Sequence, residues 1–62
     1  NMKKIRDYTA VIDSGTSYSN FHFESEHKAG SKANFKDCEE AYKRTYGYKP
    51  YSVEQIFLRE EY

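Results

Sequence analysis

The spacing of hydrophobic residues along this 62-residue chain changes near Gly30, and this change restricts the fold more than any other feature. Before Gly30, aromatic and polar residues alternate, as in FHFES at 21–25, which is typical of a strand with one buried face. After Gly30, apolar residues recur three and four positions apart, as Cys38 and Tyr42 do, which is typical of an amphipathic helix. The sequence therefore predicts strands followed by a helix.

Two strands and a tight turn are expected in the first 26 residues. Strand 1 runs from Ile5 to Asp13 and strand 2 from Tyr18 to Glu26, because both are rich in β-formers and SGTS lies between them. Alternation assigns two faces to this hairpin. The face toward a core carries Tyr8, Ala10, Ile12, Phe21 and Phe23, and the opposite face carries Thr9, Val11, Asp13, His22, Glu24 and Glu26.

A helix is predicted next, capped by either Ser31 or Asn34 and stopped by Gly47, with Pro50 shortly after. Its acid-to-base pairs four residues apart add a little stability on the exposed side. The expected core-facing stripe consists of Phe35, Cys38, Ala41, Tyr42, Thr45 and Tyr46.

The last eleven residues fit two structures. Ser52 and Gln55 resemble a helix capping box, whereas Val53 and the run Ile56-Phe57-Leu58 favour a strand. We prefer the strand, since a hairpin and one helix alone make a marginal sheet. The prediction is one small α+β domain, 2–62, of order ββαβ: a three-stranded sheet with strand 1 in the middle and one helix packed on one face. Asn1 reads as a cloning remnant before the start at Met2.

Composition excludes several classes of function. Ten cationic and ten anionic residues leave no net charge, so no overall field steers the chain to nucleic acid or membrane. A single cysteine forms no internal disulfide, and no segment resembles a membrane span or signal peptide, so we expect a cytoplasmic protein. So short a chain is a poor scaffold for a deep cleft, and we expect no enzymatic activity and no cofactor.

Metal binding is one hypothesis for FHFESEH, residues 21–27. His22, Glu24 and Glu26 share a face at steps of roughly 7 Å, and such groups bind zinc, manganese or iron. Side chains that project in parallel from one strand do not converge on one ion, however. A solvated or partner-facing surface is the preferred interpretation. Cys38, on the apolar stripe, is expected to be a buried and inert thiol.

Nucleic-acid binding is the main alternative function. Lys28, Lys32 and Lys36 surround the start of the helix, where backbone N–H groups favour phosphate. The stretch AGSKANFKD resembles the start of the last helix of double-stranded RNA-binding domains, where a Ser-Lys-Lys-x-Ala-Lys run has lysines that contact phosphate. Ser31, Lys32 and Lys36 match the serine and two of the lysines of that run. The resemblance covers about a dozen residues. Ala33 replaces a lysine, two glutamates replace small apolar residues, and the first helix of that family is missing.

A basic and aromatic cluster follows the helix. It contains Tyr46, Tyr48 and Tyr51 together with Lys43, Arg44 and Lys49. Such residues stack on bases or anchor protein interfaces. The simpler interpretation is that the tyrosines close the bottom of a thin core with their hydroxyls in water.

One helix covers only one face of a three-stranded sheet, so the other face and a strand edge remain open to a partner. We therefore predict an intracellular binding or regulatory module that acts through this face or edge, on a protein partner or as a homodimer. Its size suggests an accessory protein of the kind found in phages and mobile elements. The candidate binding residues are Val11, His22, Glu24, Glu26, Lys28, Lys32, Lys36, Tyr46, Tyr48 and Tyr51.

Overall fold

A computed structural model describes residues 4–61, so the predicted start at Met2 lies outside the described residues. Four elements follow one another along the chain: strand β1 (Arg6–Asp13), strand β2 (Tyr18–Ser25), helix α1 (Lys32–Tyr46) and strand β3 (Ser52–Glu61). The predicted ββαβ order is confirmed. Residues 52–61 form a strand and not the alternative second helix.

The three strands form one open sheet in the order β2-β1-β3. β1 is antiparallel to both neighbours, so β2 and β3 run in the same direction on either side of it. This is the predicted topology. β2 and β3 are both edge strands, and α1 packs mainly on β2.

Both alternating patterns of the hairpin have the predicted faces. Opposite pairs include Tyr8 with Phe23 and Ala10 with Phe21, and these four residues are buried. The rings of Tyr8 and Phe23 stack with centroids 5.4 Å apart, and Phe21 meets the ring of Tyr42 edge-on at 5.2 Å. The core is therefore built largely from aromatic area.

The first turn is held by its own polar groups. The Asp13 carboxylate accepts a hydrogen bond from the Gly15 N–H at 2.8 Å, and Ser14 N–H donates to the Ser17 carbonyl at 3.0 Å. Gly15 has a φ of 98°, which side chains other than glycine rarely tolerate.

Both ends of α1 are capped, and the cap at its start is Ser31 rather than Asn34. Ser31 is the N-cap, and its side chain accepts from the backbone N–H of Asn34. At the other end Gly47 adopts the left-handed conformation, with φ 86°, and its N–H donates to the Lys43 carbonyl at 2.8 Å. The predicted stop at Gly47 is confirmed.

The connection between β2 and α1 is fixed by a buried asparagine. Asn34 is fully buried; its amide oxygen accepts from Gly30 N–H at 3.1 Å, and its amide nitrogen donates to the His27 carbonyl at 3.3 Å. The same carbonyl accepts from the Tyr8 hydroxyl at 2.7 Å. Core, connection and helix are thereby joined through one backbone oxygen.

The predicted stripe of α1 is only partly correct. Cys38 and Tyr42 are buried, but Phe35 and Ala41 are half-buried, and Thr45 and Tyr46 are exposed. Thr45 instead donates its hydroxyl to the Ala41 carbonyl. The polar Asn34, which lies outside the predicted stripe, is also buried.

β3 departs from regular pairing at two points. Successive pairs with β1 skip Glu54 and skip Arg59, so each is an extra residue of the kind found in a β-bulge. Between them, Gln55 to Leu58 alternate regularly: Ile56 and Leu58 lie opposite the core residues Ala10 and Tyr8, while Phe57 lies opposite Thr9. The bulges therefore isolate one regular stretch of four residues.

Candidate interaction surface

The face of the sheet that points away from α1 is mostly polar. In an antiparallel pair, directly opposite residues point to the same side, so the register of β1 with its neighbours defines this surface. We call it the open face. It carries Asp7, Thr9, Val11 and Asp13 from β1, Tyr18, Asn20, His22 and Glu24 from β2, and Ser52, Gln55, Phe57 and Glu60 from β3.

The edge strand β3 exposes two neighbouring apolar side chains. Phe57 is 49% exposed and lies on the open face, whereas its neighbour Leu58 is 53% exposed and lies on the side of the helix. Leu58 is uncovered because α1 packs mainly on β2 at the far side of the sheet. The candidate binding residues that we predicted from the sequence include none on β3. The side-by-side pair Phe57-Leu58 in a terminal strand is the signal that identifies them.

His22 and Glu24 lie on the open face as predicted, and both are exposed. His22 Nδ1 is 3.0 Å from Thr9 Oγ1 on the neighbouring strand. Val11, another candidate binding residue of this face, is half-buried. Because Thr9, His22 and Glu24 are polar, this part of the open face exposes little apolar area.

Glu26 does not share that part of the open face, which corrects the prediction. β2 ends at Ser25, so the alternation stops before Glu26, and its carboxylate lies 3.8 Å from His27 Nε2. His27 Nε2 is also 4.0 Å from the Asp37 carboxylate on α1. Within the described part of the chain, no group of three His, Cys, Asp or Glu side chains is placed to hold a metal ion.

Ser25, His27 and Asp37 form a cluster that sequence reasoning missed. The Ser25 hydroxyl donates to the Asp37 carboxylate at 2.6 Å and accepts from the His27 backbone N–H at 3.0 Å. A catalytic triad would need the imidazole to accept from the serine hydroxyl, and here that proton goes to the carboxylate. The cluster ties the end of β2 to the first turns of α1.

Cys38 is fully buried. Burial, with a smaller contribution from the neighbouring Glu39 carboxylate, raises the pKa of its thiol to about 11. The thiol therefore stays protonated near neutral pH, and a protonated thiol is a poor nucleophile.

The predicted lysine patch lies on exposed surface around the start of α1. Lys28, Lys32 and Lys36 are all exposed, and the Lys28 carbonyl accepts from Ser31 N–H. Lys32 and Lys36 line a surface groove of about 680 Å³ beside Phe35 and Glu39. The other side of Lys36 borders a second groove, of about 650 Å³, lined entirely by charged residues.

The predicted tyrosine cluster is divided by the structure. Tyr46 and Tyr48 contact the buried Tyr42, with ring centroids 4.6 and 5.9 Å away, so they extend the core to the surface. Burial and a hydrogen bond with Tyr48 raise the pKa of Tyr42. Tyr51 is 77% exposed. Its Cβ lies beside the β1–β2 turn, since a Cβ atom added to Gly15 would be 4.0 Å away from it.

Charge is segregated between the two sides of the molecule. The three strands contain two cationic and six anionic residues, whereas residues 28–49 contain six cationic and three anionic ones. On the open face, the carboxylate of Asp7 is paired with Arg59 at 3.7 Å. The net charge of zero therefore combines an acidic sheet with a basic helical side, which we define as residues 28–49.

Comparison with protein-family models, with curated proteins and with solved structures finds no significant match. Among the described residues, no helix has the length and apolar character needed to cross a membrane. The fold is thus a small α+β domain, and its surfaces are the basis for any assignment of function.

Proposed function

We propose that this protein is a non-enzymatic binding module that acts through its open face and the adjoining edge of β3. The observation that carries the proposal is the exposure of Phe57 and Leu58 on an edge strand. An exposed apolar edge strand offers a partner both side-chain contacts and backbone hydrogen bonds. We propose further that the protein acts inside the cell, where it regulates a protein partner.

The chemistry of the other polar groups supports binding rather than catalysis. The Cys38 thiol is buried and protonated near neutral pH, and the Ser25 hydroxyl is engaged by Asp37. Among residues 4–61, the imidazole of His22 on the open face has one side-chain hydrogen-bond partner, the Thr9 hydroxyl. These groups stabilise the fold or line a flat surface.

A quantitative affinity capture tests the proposal. The immobilised chain is exposed to an extract of the cells that encode it, in parallel with Phe57→Asp and with Glu39→Ala on the exposed side of α1. We expect the amount of a protein retained by the wild type and by Glu39→Ala to fall roughly tenfold or more with Phe57→Asp, because an apolar anchor residue at an interface contributes about 2 kcal/mol or more. Equal retention by all three chains would contradict the proposal, provided that circular dichroism shows them folded.

Nucleic-acid binding by the helical side is a second candidate, favoured by the excess of cations over residues 28–49. Lys28, Lys32 and Lys36 would contact phosphate, with Tyr46 and Tyr48 available for stacking. We expect binding to a mixed RNA and DNA pool that weakens as salt increases, and that weakens severalfold when the three lysines are replaced by alanine. The matched control replaces Glu39 and Glu40 by alanine. Binding that is absent at low salt, or unchanged by the triple replacement, would exclude this function.

A further inference from the structure

We infer that the occupant of the β3 edge is a second copy of this chain, paired antiparallel to the first about a two-fold axis through Phe57. This inference rests on the proposed function and names the partner of the same edge. It follows from three properties of β3: the exposed side chains on both of its sides, the positions of its two bulges, and the apolar residues that come to lie opposite each other when β3 pairs with a second copy of itself.

The exposed residues place the partner along the edge and not on a face. Phe57 and Leu58 are each about half exposed, yet they point to opposite sides of the sheet. A partner lying flat on the open face would cover Phe57 and leave Leu58 in water. A strand added beside β3 contacts both, because its own side chains also alternate between the two sides.

The bulges limit the length of the pairing. Regular alternation in β3 runs from Gln55 to Leu58, with extra residues at Glu54 and Arg59 on either side. Bulges bend and twist a strand, so an added strand pairs best with this central stretch. The contact is short, and we expect a reversible dimer rather than an obligate one.

The sequence of the stretch selects the register. A two-fold axis perpendicular to an antiparallel sheet brings one residue of β3 opposite its own copy. With Phe57 at the axis, phenylalanine faces phenylalanine and Ile56 faces Leu58 of the other copy, so apolar residues meet on both sides of the sheet. Aromatic and β-branched pairs of this kind stabilise antiparallel strands.

Neighbouring registers pair apolar residues with charged ones. With Ile56 at the axis, Leu58 faces Glu54 of the other copy, and with Leu58 at the axis, Phe57 faces Arg59. The register centred on Phe57 also places Glu54 opposite Glu60, outside the regular stretch. This repulsion is screened by salt, so dimerisation should strengthen as salt is raised, opposite to nucleic-acid binding.

Engineered cysteines test the register. Phe57→Cys places two thiols directly opposite each other, with Cβ atoms about 4.5–5.5 Å apart, near the range of a disulfide. Gln55→Cys is the matched control on the same strand and face, because its two copies would be roughly 13 Å apart. The native Cys38 does not interfere, since it is fully buried and its pKa is raised to about 11.

We expect Phe57→Cys to form a disulfide-linked dimer at least tenfold faster than Gln55→Cys under mild oxidation. In light scattering, the wild type and Tyr18→Lys, which alters the β2 edge, should dimerise at high concentration, while Leu58→Lys stays monomeric. Equal crosslinking of the two cysteine variants, or a wild type that is monomeric at millimolar concentration, would overturn the inference. If another protein were then still captured through Phe57, the binding function would stand and only the second copy would be excluded.

Discussion

Replacing Tyr8 with alanine should leave the chain unfolded in water. Tyr8 is 1% exposed and stacks on Phe23, and removing a buried aromatic side chain costs about 3–5 kcal/mol. A domain of this size rarely has more than about 3–5 kcal/mol of stability in total. Circular dichroism and urea unfolding would measure the loss, which we expect to appear as an absence of a cooperative transition.

The control for this variant is Tyr8→Phe. It keeps the ring and removes only the hydroxyl that donates to the His27 carbonyl. Because Asn34 still donates to that carbonyl, we expect Tyr8→Phe to fold and to lose about 1 kcal/mol. A Tyr8→Ala protein that unfolds cooperatively with near wild-type stability would show that Tyr8 is not central to the core.

Replacing Asn34 with alanine should cost roughly 2–3 kcal/mol, because it removes two hydrogen bonds and leaves the Gly30 N–H without its acceptor. The same change opens the β2–α1 connection. We expect a fall in melting temperature of roughly 15–20 °C. Hydrogen exchange at the Gly30 amide should accelerate more than exchange in β1.

Ser31→Ala is the matched control for Asn34, since the two residues are three positions apart at the same helix end. It removes the side-chain N-cap, which accepts from Asn34 N–H, at a cost of about 1 kcal/mol. If Asn34→Ala were no more destabilising than Ser31→Ala, the two hydrogen bonds of the buried amide would contribute no more to stability than a single helix cap. In that case the connection would be held mainly by the Tyr8 hydroxyl.

Local patterns predicted the elements because each pattern has a direct physical cause. Alternation in β1 and β2 separated buried Tyr8 and Phe23 from exposed His22, since strand side chains alternate by geometry. Gly47 predicted the end of α1, because glycine readily takes the left-handed conformation found there. The predicted end of strand 2 was one residue too late, and Glu26 was for that reason wrongly assigned to the open face.

The candidate surface was predicted only in outline. An open face and an exposed edge follow from having one helix for three strands, but which edge is uncovered depends on where the helix lies. α1 packs mainly on β2, and only this placement leaves Leu58 half exposed while Phe57 projects from the other side. Tyr46 is 52% exposed even though its ring lies 6.1 Å from that of Phe21 on β2.

The sequence by itself determined the order of the strands and helix and the two faces of the hairpin, because each follows from the periodicity of side chains within a short segment. Only the tertiary structure decided the burial of Asn34, the bulges at Glu54 and Arg59, and the departure of Glu26 from the face that carries His22 and Glu24. These features depend on contacts between residues far apart in the chain, which no local pattern encodes. FHFESEH thus provides two core anchors and two exposed polar residues of the open face, while Ser25 ends β2 and the last two residues belong to the connection that joins the sheet to the helix.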